Sequence, residues 1–387
     1  MSKTHIKDKL IILISVLVYL FINVLFVDKY TMRITEWHYL CDIIYIVFGV
    51  IILVIPKLLQ TPTWKYRTIL GIGGTLYILG MAVIQYHVDP ITVNVDRWSA
   101  IHNFLYNLFH GIYPYAAQTH LGGYGSPFPI WQILHIPFYL LGNVGLSFFA
   151  ALILFLYYIS TYDSHRTATI ALSLIAFSPA INYEIIVRSD LFSNFLIICA
   201  LCRLLQQKKI LLKQHTYALG VITGLCASTR LTAVIPLALL YGYEFLQIGW
   251  RKQLIFIITV FATFMLTFLP FILWNGNHLF FFEYNPFILQ TRQGNPFIFI
   301  FFAFSAIVFT IYKKNHLQHF NLYAGGLLTF LVIITFTYNM ISSDNYNLYS
   351  SAYDITYFNM ALPFYIYEIA LPSALYSTTY YDENRHP

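Results

Sequence analysis

Residues 96–129 read DRWSAIHNFLYNLFHGIYPYAAQTHLGGYGSPFP, and this stretch is the one long polar and aromatic interruption in an otherwise apolar chain. Of the 387 residues, 58% are hydrophobic and only 10% are charged, and the mean hydropathy is +0.65. An ordinary soluble domain has a much larger fraction of charged residues and a smaller fraction of hydrophobic residues. The composition therefore predicts a polytopic membrane protein.

Nine apolar segments are long enough to cross about 30 Å of hydrocarbon as helices, and a shorter candidate lies at 167–180. These runs are continuously apolar, whereas membrane strands alternate in hydrophobicity over roughly ten residues, so an all-α fold is expected. The nine predicted spans are 10–27, 39–56, 69–87, 144–160, 187–205, 252–273, 296–312, 321–340 and 355–377.

The lysines and arginines orient these spans by the positive-inside rule, with both termini in the cytoplasm. This orientation requires residues 128–142 to be a half-inserted helix with both ends outside. It also makes 216–248 a helical pair, broken around 228–230, with both ends inside. The prediction is a bundle of about 10–12 transmembrane helices in the cytoplasmic membrane. The net charge of +6 fits this topology and contact with anionic lipid, and no basic soluble module is present to bind nucleic acid.

Within residues 96–129, the apolar positions recur at helical spacing from Asp96, near the N-cap, to Gly111, where the helix is expected to stop. An amphipathic helix on the outer surface is predicted, because its tryptophan and tyrosines suit the headgroup layer. A glycine-rich turn at 122–126 and Pro127 follow. The loop is too apolar for free solution and too broken for a span, which predicts the wall of a pocket at the membrane surface.

Four features of this loop belong together. They are an external acidic residue soon after a span, a surface helix ending in Gly111-Ile-Tyr-Pro-Tyr115, a small-residue turn and a proline-led helix. In combination they resemble the first external loop of GT-C-fold glycosyltransferases. Ser178–Asp190 resembles their second external loop, and Gly220–Arg230 resembles their glycine-rich segment ending in Thr-Arg. The resemblance covers residues 69–250 and implies a GT-C-like bundle whose core there has an external catalytic loop at 88–143. The two spans in 1–68 are additional to the simplest layout of that family, and the variable C-terminal helices at 251–387 agree with it only in number and hydrophobicity.

The same resemblance implies an enzyme that transfers a monosaccharide, with mannose as the first candidate, from a polyprenyl-phosphate donor to a lipid, glycan or protein acceptor at the external, periplasmic face. A single inverting displacement is expected. Two other classes stay open. An O-antigen-type polymerase or ligase would rely on arginines in a large late loop, and a secondary transporter would show two matching halves.

A transfer of this kind needs a base for the acceptor and cationic groups for the departing phosphate. Asp96 is the predicted base, with Asp89 as its rival; the alternative role for Asp96 is to cap the helix that follows. For the phosphate we predict Arg188, Arg292 and Arg230, in that order. Arg230 lies in an apolar region, where an arginine is costly and therefore points to a paired or functional role.

Supporting roles are predicted for further loop residues. Glu184 and Asp190 are expected to orient an arginine or, with a loop histidine, to hold a divalent cation. No metal ligands are assigned, because the histidine spacing in the first loop matches no known ligand pattern. The remaining predictions are sugar stacking or interfacial packing for Tyr113, Tyr115 and Tyr124, and acceptor binding for Glu283.

Overall fold

The computed structural model describes residues 3–58, 63–290, 295–312, 316–350 and 353–371. Across these ranges the chain is helical, and the one strand-like pairing is an isolated antiparallel bridge between Gln118 and Tyr124. The helices are α1 Lys3–Thr31, α2 His38–Leu58, α3 Thr63–His87, α4 Arg97–Phe109, α5 Pro129–Leu134, α6 Ile136–Leu140, α7 Ser147–Tyr162, α8 His165–Phe177, α9 Pro179–Ile186, α10 Leu191–Gln207, α11 Thr216–Ala227, α12 Val234–Gln247, α13 Trp250–Phe281, α14 Pro286–Gln290, α15 Pro296–Tyr312, α16 Phe320–Ser343 and α17 Leu362–Ala370.

Five of the described helical segments are long and apolar enough to cross a membrane. They are Lys9–Thr31, Trp64–His87, Val144–Tyr162, Trp250–Phe281 and Leu317–Ser343. The pair α8 and α9, bent by 71°, would make a sixth, and five shorter apolar helices accompany them. The all-helical architecture with several membrane-length helices is confirmed. The count of about 10–12 transmembrane helices and the orientation of the chain stay predictions.

The two regions that the sequence predicts to be irregular, 128–142 and 216–248, are each interrupted, and they contact each other. Residues 128–142 form the short helices α5 and α6, which meet at His135. The pair at 216–248 is broken between α11 and α12, where the backbone of Arg230 is extended. The Ile130 N–H donates to the Ser228 carbonyl at 3.2 Å. The start of α5 therefore lies directly against the break.

The glycines of α11 bring this broken element close to α13. A Cβ atom on Gly224 would lie 2.7 Å from the Val260 carbonyl oxygen and 2.7 Å from Thr263 Cβ, and Gly220 is similarly tight against Thr259. Any side chain at either glycine would push the helices apart. The spacing Gly220-x-x-x-Gly224 thus permits a close contact between α11 and α13.

Helix α17 lies at the centre of the bundle. All nine of its residues are buried, and it packs against α1, α8, α10 and α16. A helix that is buried on every side needs neighbours on every side. Gly325 of α16 provides room for Tyr365, since a Cβ there would lie 3.0 Å from the tyrosine ring. The 3₁₀ segment Ile355–Met360, which leads into α17, contacts α1, α9, α10 and α16.

Candidate functional site

A polar cavity of about 510 Å³ lies where four helix ends meet. Asp96 and Asp190 immediately precede α4 and α10, Arg230 lies in the break after α11, and Asp354 precedes a 3₁₀ turn at Ile355–Met360. The start of a helix favours negative charge, which suits the three carboxylates. The cavity is lined by Asp96, Arg97, Ala100, Gly123, Tyr124, Ser126, Pro127, Asp190, Arg230, Leu289, Phe336, Asn339, Asp354 and Tyr357.

The Asp96 carboxylate is held by the glycine-rich turn. Asp96 occupies the N-cap position of α4, but its side chain makes no capping hydrogen bond. The side chain therefore does not perform the capping role that was its predicted alternative. Instead Oδ2 accepts from Thr119 Oγ1 at 2.9 Å. Gly123 packs against the same oxygen, since a Cβ on Gly123 would lie 3.0 Å from it. No other described residue hydrogen-bonds this carboxylate, which leaves Oδ1 available to a ligand.

Asp190 and Arg230 form a buried ion pair at one wall of the cavity. Their side chains are 3% and 2% exposed, and Arg230 Nη2 lies 2.5 Å from Asp190 Oδ2. Trp131 Nε1 donates to the same oxygen at 2.6 Å. The predicted paired role of Arg230 is therefore observed, and Asp190 orients this arginine as expected. The partner comes from a segment forty positions earlier in the chain.

Arg97 joins the first loop to two other segments. Its Nη1 donates to Ser189 Oγ at 2.8 Å, and its Nη2 donates to Thr356 Oγ1 at 2.5 Å and pairs with the Asp354 carboxylate. The guanidinium also lies over the ring of Tyr357, 5.4 Å from its centroid. One side chain thus fixes α4, the residue before Asp190 and the C-terminal loop around a single cavity.

The Arg97–Asp354 pair predicts a pH-dependent stability. Burial raises the pKa of Asp354, but the charge of Arg97 and the hydrogen bonds from Thr356 outweigh burial and hold this pKa below its usual value. A carboxylate with a lowered pKa stabilises the fold above the pKa of the unfolded chain, about 3.9, and the contribution is lost as the pH falls through the folded value. Because the Asp354 side chain is 43% exposed, Asp354→Asn should cost about 1 kcal/mol at pH 7.

Thermal unfolding of both proteins between pH 7 and pH 3 checks this. The difference in unfolding temperature between the wild type and Asp354→Asn should be constant from pH 7 to about pH 5, and it should fall towards zero as the pH drops below about 4. Asp344→Asn is the matched control, because Asp344 is an exposed acid in the same loop, and asparagine tolerates its left-handed backbone. It should change stability by less than about 0.5 kcal/mol at every pH. A difference that grows as the pH falls would contradict the assignment.

Several buried polar atoms in and beside the cavity lack a hydrogen-bond partner among the described residues. They are both amide atoms of Gln132, Asp190 Oδ1, Arg230 Nε, Asn194 Nδ2 and Gln290 Oε1. Gln132 lies beside the cavity wall, since its Nε2 is 3.7 Å from the position of a Cβ on Gly125, which stands between the lining residues Tyr124 and Ser126. A buried group left unsatisfied costs about 1–3 kcal/mol. Such a cluster needs water or a ligand with both donors and acceptors.

Two residues predicted from the sequence are placed away from the cavity, and one cannot be placed. Arg188 donates to the carbonyls of Gln85, at 2.5 Å, and Val88, at 3.1 Å, and so caps the end of α3. Asp89 is exposed, and its Oδ1 accepts from the Ile91 N–H at 3.0 Å, which is a local turn contact. Arg292 lies outside the described residues.

The supporting residues are divided in the same way. Tyr124 lines the cavity and stacks on Tyr284. Tyr113 and Tyr115 do not line it and are buried in an aromatic cluster. Burial raises the pKa of Tyr113 to about 12. Glu184 is fully buried and accepts from the Phe192 N–H at 2.5 Å and from Asn359. Glu283 is exposed and does not line the cavity.

The residues that sequence reasoning missed are Arg97, Asp354, Gln132 and Asn339. Arg97 follows the predicted base directly, and an arginine beside an acid at a membrane boundary was a usable signal. Asp354 marks an external loop that, like the loop with Glu283, is a candidate for acceptor binding, and nothing in the sequence assigns it a more specific role. Nothing in the sequence around Gln132 or Asn339 separates them from other polar residues in an apolar chain.

Metal binding at the cavity finds no support in the described side chains. A divalent cation held by Glu184, Asp190 and a loop histidine would need ligand atoms close together, and these residues do not form such a group. The one described group with suitable spacing, Asp28, His38 and Asp42, does not line the cavity.

Comparisons of the chain with protein-family models, with curated proteins and with solved structures found no match. The chemistry of the cavity is therefore the basis for assigning a function.

Proposed function

We propose that this chain is an integral membrane glycosyltransferase. It transfers a monosaccharide, with mannose as the first candidate, from a polyprenyl-phosphate donor to a lipid, glycan or protein acceptor at the external face of the cytoplasmic membrane. The observation that carries the proposal is the convergence of Asp96 with the Asp190–Arg230 pair in one polar cavity. These residues come from three separate helix ends, and a cavity of about 510 Å³ is of the size that binds small molecules.

Asp96 is proposed as the general base. The acceptor hydroxyl oxygen attacks the anomeric carbon and forms the new glycosidic bond, while the bond from that carbon to the donor phosphate oxygen breaks. The phosphate leaves with the bonding electron pair, and the acceptor proton passes to the Asp96 carboxylate. The single Thr119 hydrogen bond leaves the carboxylate its second oxygen for this contact.

Arg230 and Arg97 are proposed to stabilise the departing phosphate. Both guanidiniums line the cavity, and Arg230 Nε has no partner among the described residues, so it remains a donor for an anion. Arg188, the first choice from the sequence, is committed to two backbone carbonyls. The proposal therefore moves the leading role from Arg188 to Arg230.

The unsatisfied polar atoms are proposed to bind the hydroxyl groups of the donor sugar. Gln132 offers a donor and an acceptor, Asp190 Oδ1 an acceptor and Asn194 Nδ2 a donor. A sugar hydroxyl both donates and accepts, so this mixed set suits it better than it suits a purely anionic group. Leu289 and Phe336 add an apolar wall to the same cavity.

The test is transfer of radiolabelled sugar by the purified full chain in detergent. Synthetic polyprenyl-phosphate mannose, and then other polyprenyl-phosphate monosaccharides, are offered with extracted envelope lipids, and labelled product is separated by chromatography. A labelled product supports the proposal. Absence of product with all of these donors, together with sugar counterflow in sealed proteoliposomes, would replace it by a transporter. Turnover only with a polyprenyl-pyrophosphate oligosaccharide would replace it by a polymerase or ligase.

A further inference from the structure

Two carboxylates and one imidazole meet at the hairpin between the first two helices, outside the cavity. Asp28 lies in the last turn of α1, His38 begins α2, and Asp42 lies one turn further along the same face of α2. His38 Nδ1 lies 2.5 Å from Asp28 Oδ1. One ligand atom from each of the three residues lies within 4.8 Å of the other two.

The charges of this triad, Asp28, His38 and Asp42, do not balance. Even a protonated His38 leaves one carboxylate uncompensated, and no described lysine or arginine lies within ion-pair distance of either aspartate. The side chains of His38 and Asp28 are 17% and 16% exposed, so water screens them only in part. Asp42 Oδ1 is buried and has no described hydrogen-bond partner. A partly buried negative site of this kind is stabilised by a bound cation or by a proton on one of the carboxylates.

A second contact orients the triad in the way that surrounding groups orient metal ligands. The Tyr349 hydroxyl donates to Asp28 Oδ2 at 2.7 Å, which leaves Oδ1 turned towards His38. Carboxylates that bind metals are usually fixed by such hydrogen bonds from neighbouring groups. Tyr349 belongs to the segment between α16 and Asp354, so the contact joins the first hairpin to the loop that supplies a carboxylate to the cavity.

We propose that Asp28, His38 and Asp42 bind one divalent transition-metal ion, for which Zn²⁺ is the expected ion. One imidazole nitrogen and two carboxylate oxygens suit this ion, with water in the fourth position. Two ligands about 2.1 Å from a tetrahedral ion lie roughly 3.4 Å apart. His38 Nδ1 and Asp28 Oδ1 are 2.5 Å apart, and all the ligand atoms of the triad lie within 4.8 Å of one another, so the observed distances fall on both sides of this value. Small side-chain rotations therefore complete the site. The bound ion tethers the first hairpin to the loop that contains Tyr349.

This proposal does not depend on the glycosyltransferase function, and its test needs no substrate. The full chain, freed of any affinity tag and stripped with a chelator, is titrated with Zn²⁺ in a calorimeter. We expect one ion per chain. His38→Ala and Asp42→Asn should each weaken binding more than about 100-fold, and Tyr349→Phe by about 10-fold or more. Zn²⁺ should also raise the unfolding temperature of the wild type and leave that of His38→Ala unchanged.

Glu36→Gln is the matched control, because Glu36 is an exposed acid two residues before His38. It should bind Zn²⁺ as the wild type does. The proposal is overturned if the wild type binds no more Zn²⁺ than His38→Ala, which would leave a hydrogen-bonded ion pair alone. It is equally overturned if Glu36→Gln loses as much binding as Asp42→Asn, which would indicate adsorption to surface acids. Asp42→Asn and Tyr349→Phe retain the shape of each side chain, so they remain informative if His38→Ala does not fold.

Discussion

Asp96→Asn is expected to lower the turnover number by about 10²–10⁴-fold, the contribution of a positioned general base. Asparagine has the shape of aspartate and still accepts the hydrogen bond from Thr119, so the glycine-rich turn should keep its structure. Binding of the donor should be retained, because the phosphate and the sugar are proposed to contact Arg230, Arg97 and Gln132. Steady-state transfer and equilibrium binding of a labelled donor, measured on the same preparation, separate the two effects.

Asp89→Asn is the matched control. Asp89 is the rival base from the sequence, lies seven residues before Asp96, is exposed and contacts only its own turn. Its replacement should leave turnover close to that of the wild type. The reverse result, with Asp89→Asn inactive and Asp96→Asn active, would move the base to Asp89. If neither variant lost turnover, a carboxylate base in this loop would be excluded, and an arginine-led polymerase would become the favoured class.

Hydropathy predicted the helical class because apolar length is a direct property of each segment. The irregular elements at 128–142 and 216–248 were predicted because the positive-inside orientation requires each of them to begin and end on the same side of the membrane. The surface helix from Asp96 to Gly111 corresponds to α4, Arg97–Phe109. Each of these features follows from the order of apolar and charged residues along the chain.

The partners of the charged residues were not predictable in this way. Arg97 meets Asp354 across 257 positions of sequence, and hydropathy says which segments lie in lipid but not which helix ends are neighbours. Arg188 appeared to be the better phosphate ligand because its guanidinium was expected on the external face, yet its left-handed backbone turns it onto the end of α3. Tyr113 and Tyr115 were equally ambiguous, since aromatic residues are abundant throughout this chain.

The second large effect is expected at the buried pair. Asp190→Asn should leave Arg230 charged and without its partner in a site where both side chains are almost fully buried. Breaking a buried ion pair from one side costs about 3–5 kcal/mol. Arg230→Gln should cost a similar amount, because it leaves the Asp190 carboxylate with only the Trp131 hydrogen bond. The free energy of unfolding, measured by denaturant titration in mixed micelles, gives both values.

The double variant Asp190→Asn with Arg230→Gln distinguishes a lost pair from lost packing. With both charges removed, no uncompensated charge remains, so the double variant should be more stable than either single variant. Arg251→Gln is the control for removing an arginine, because Arg251 is exposed and lies over the ring of Trp250; it should cost less than about 0.5 kcal/mol. If the two single losses simply added in the double variant, the pair would be uncoupled. Arg230 would then have to be stabilised by other groups, and the proposal that Asp190 positions it for the donor phosphate would be wrong.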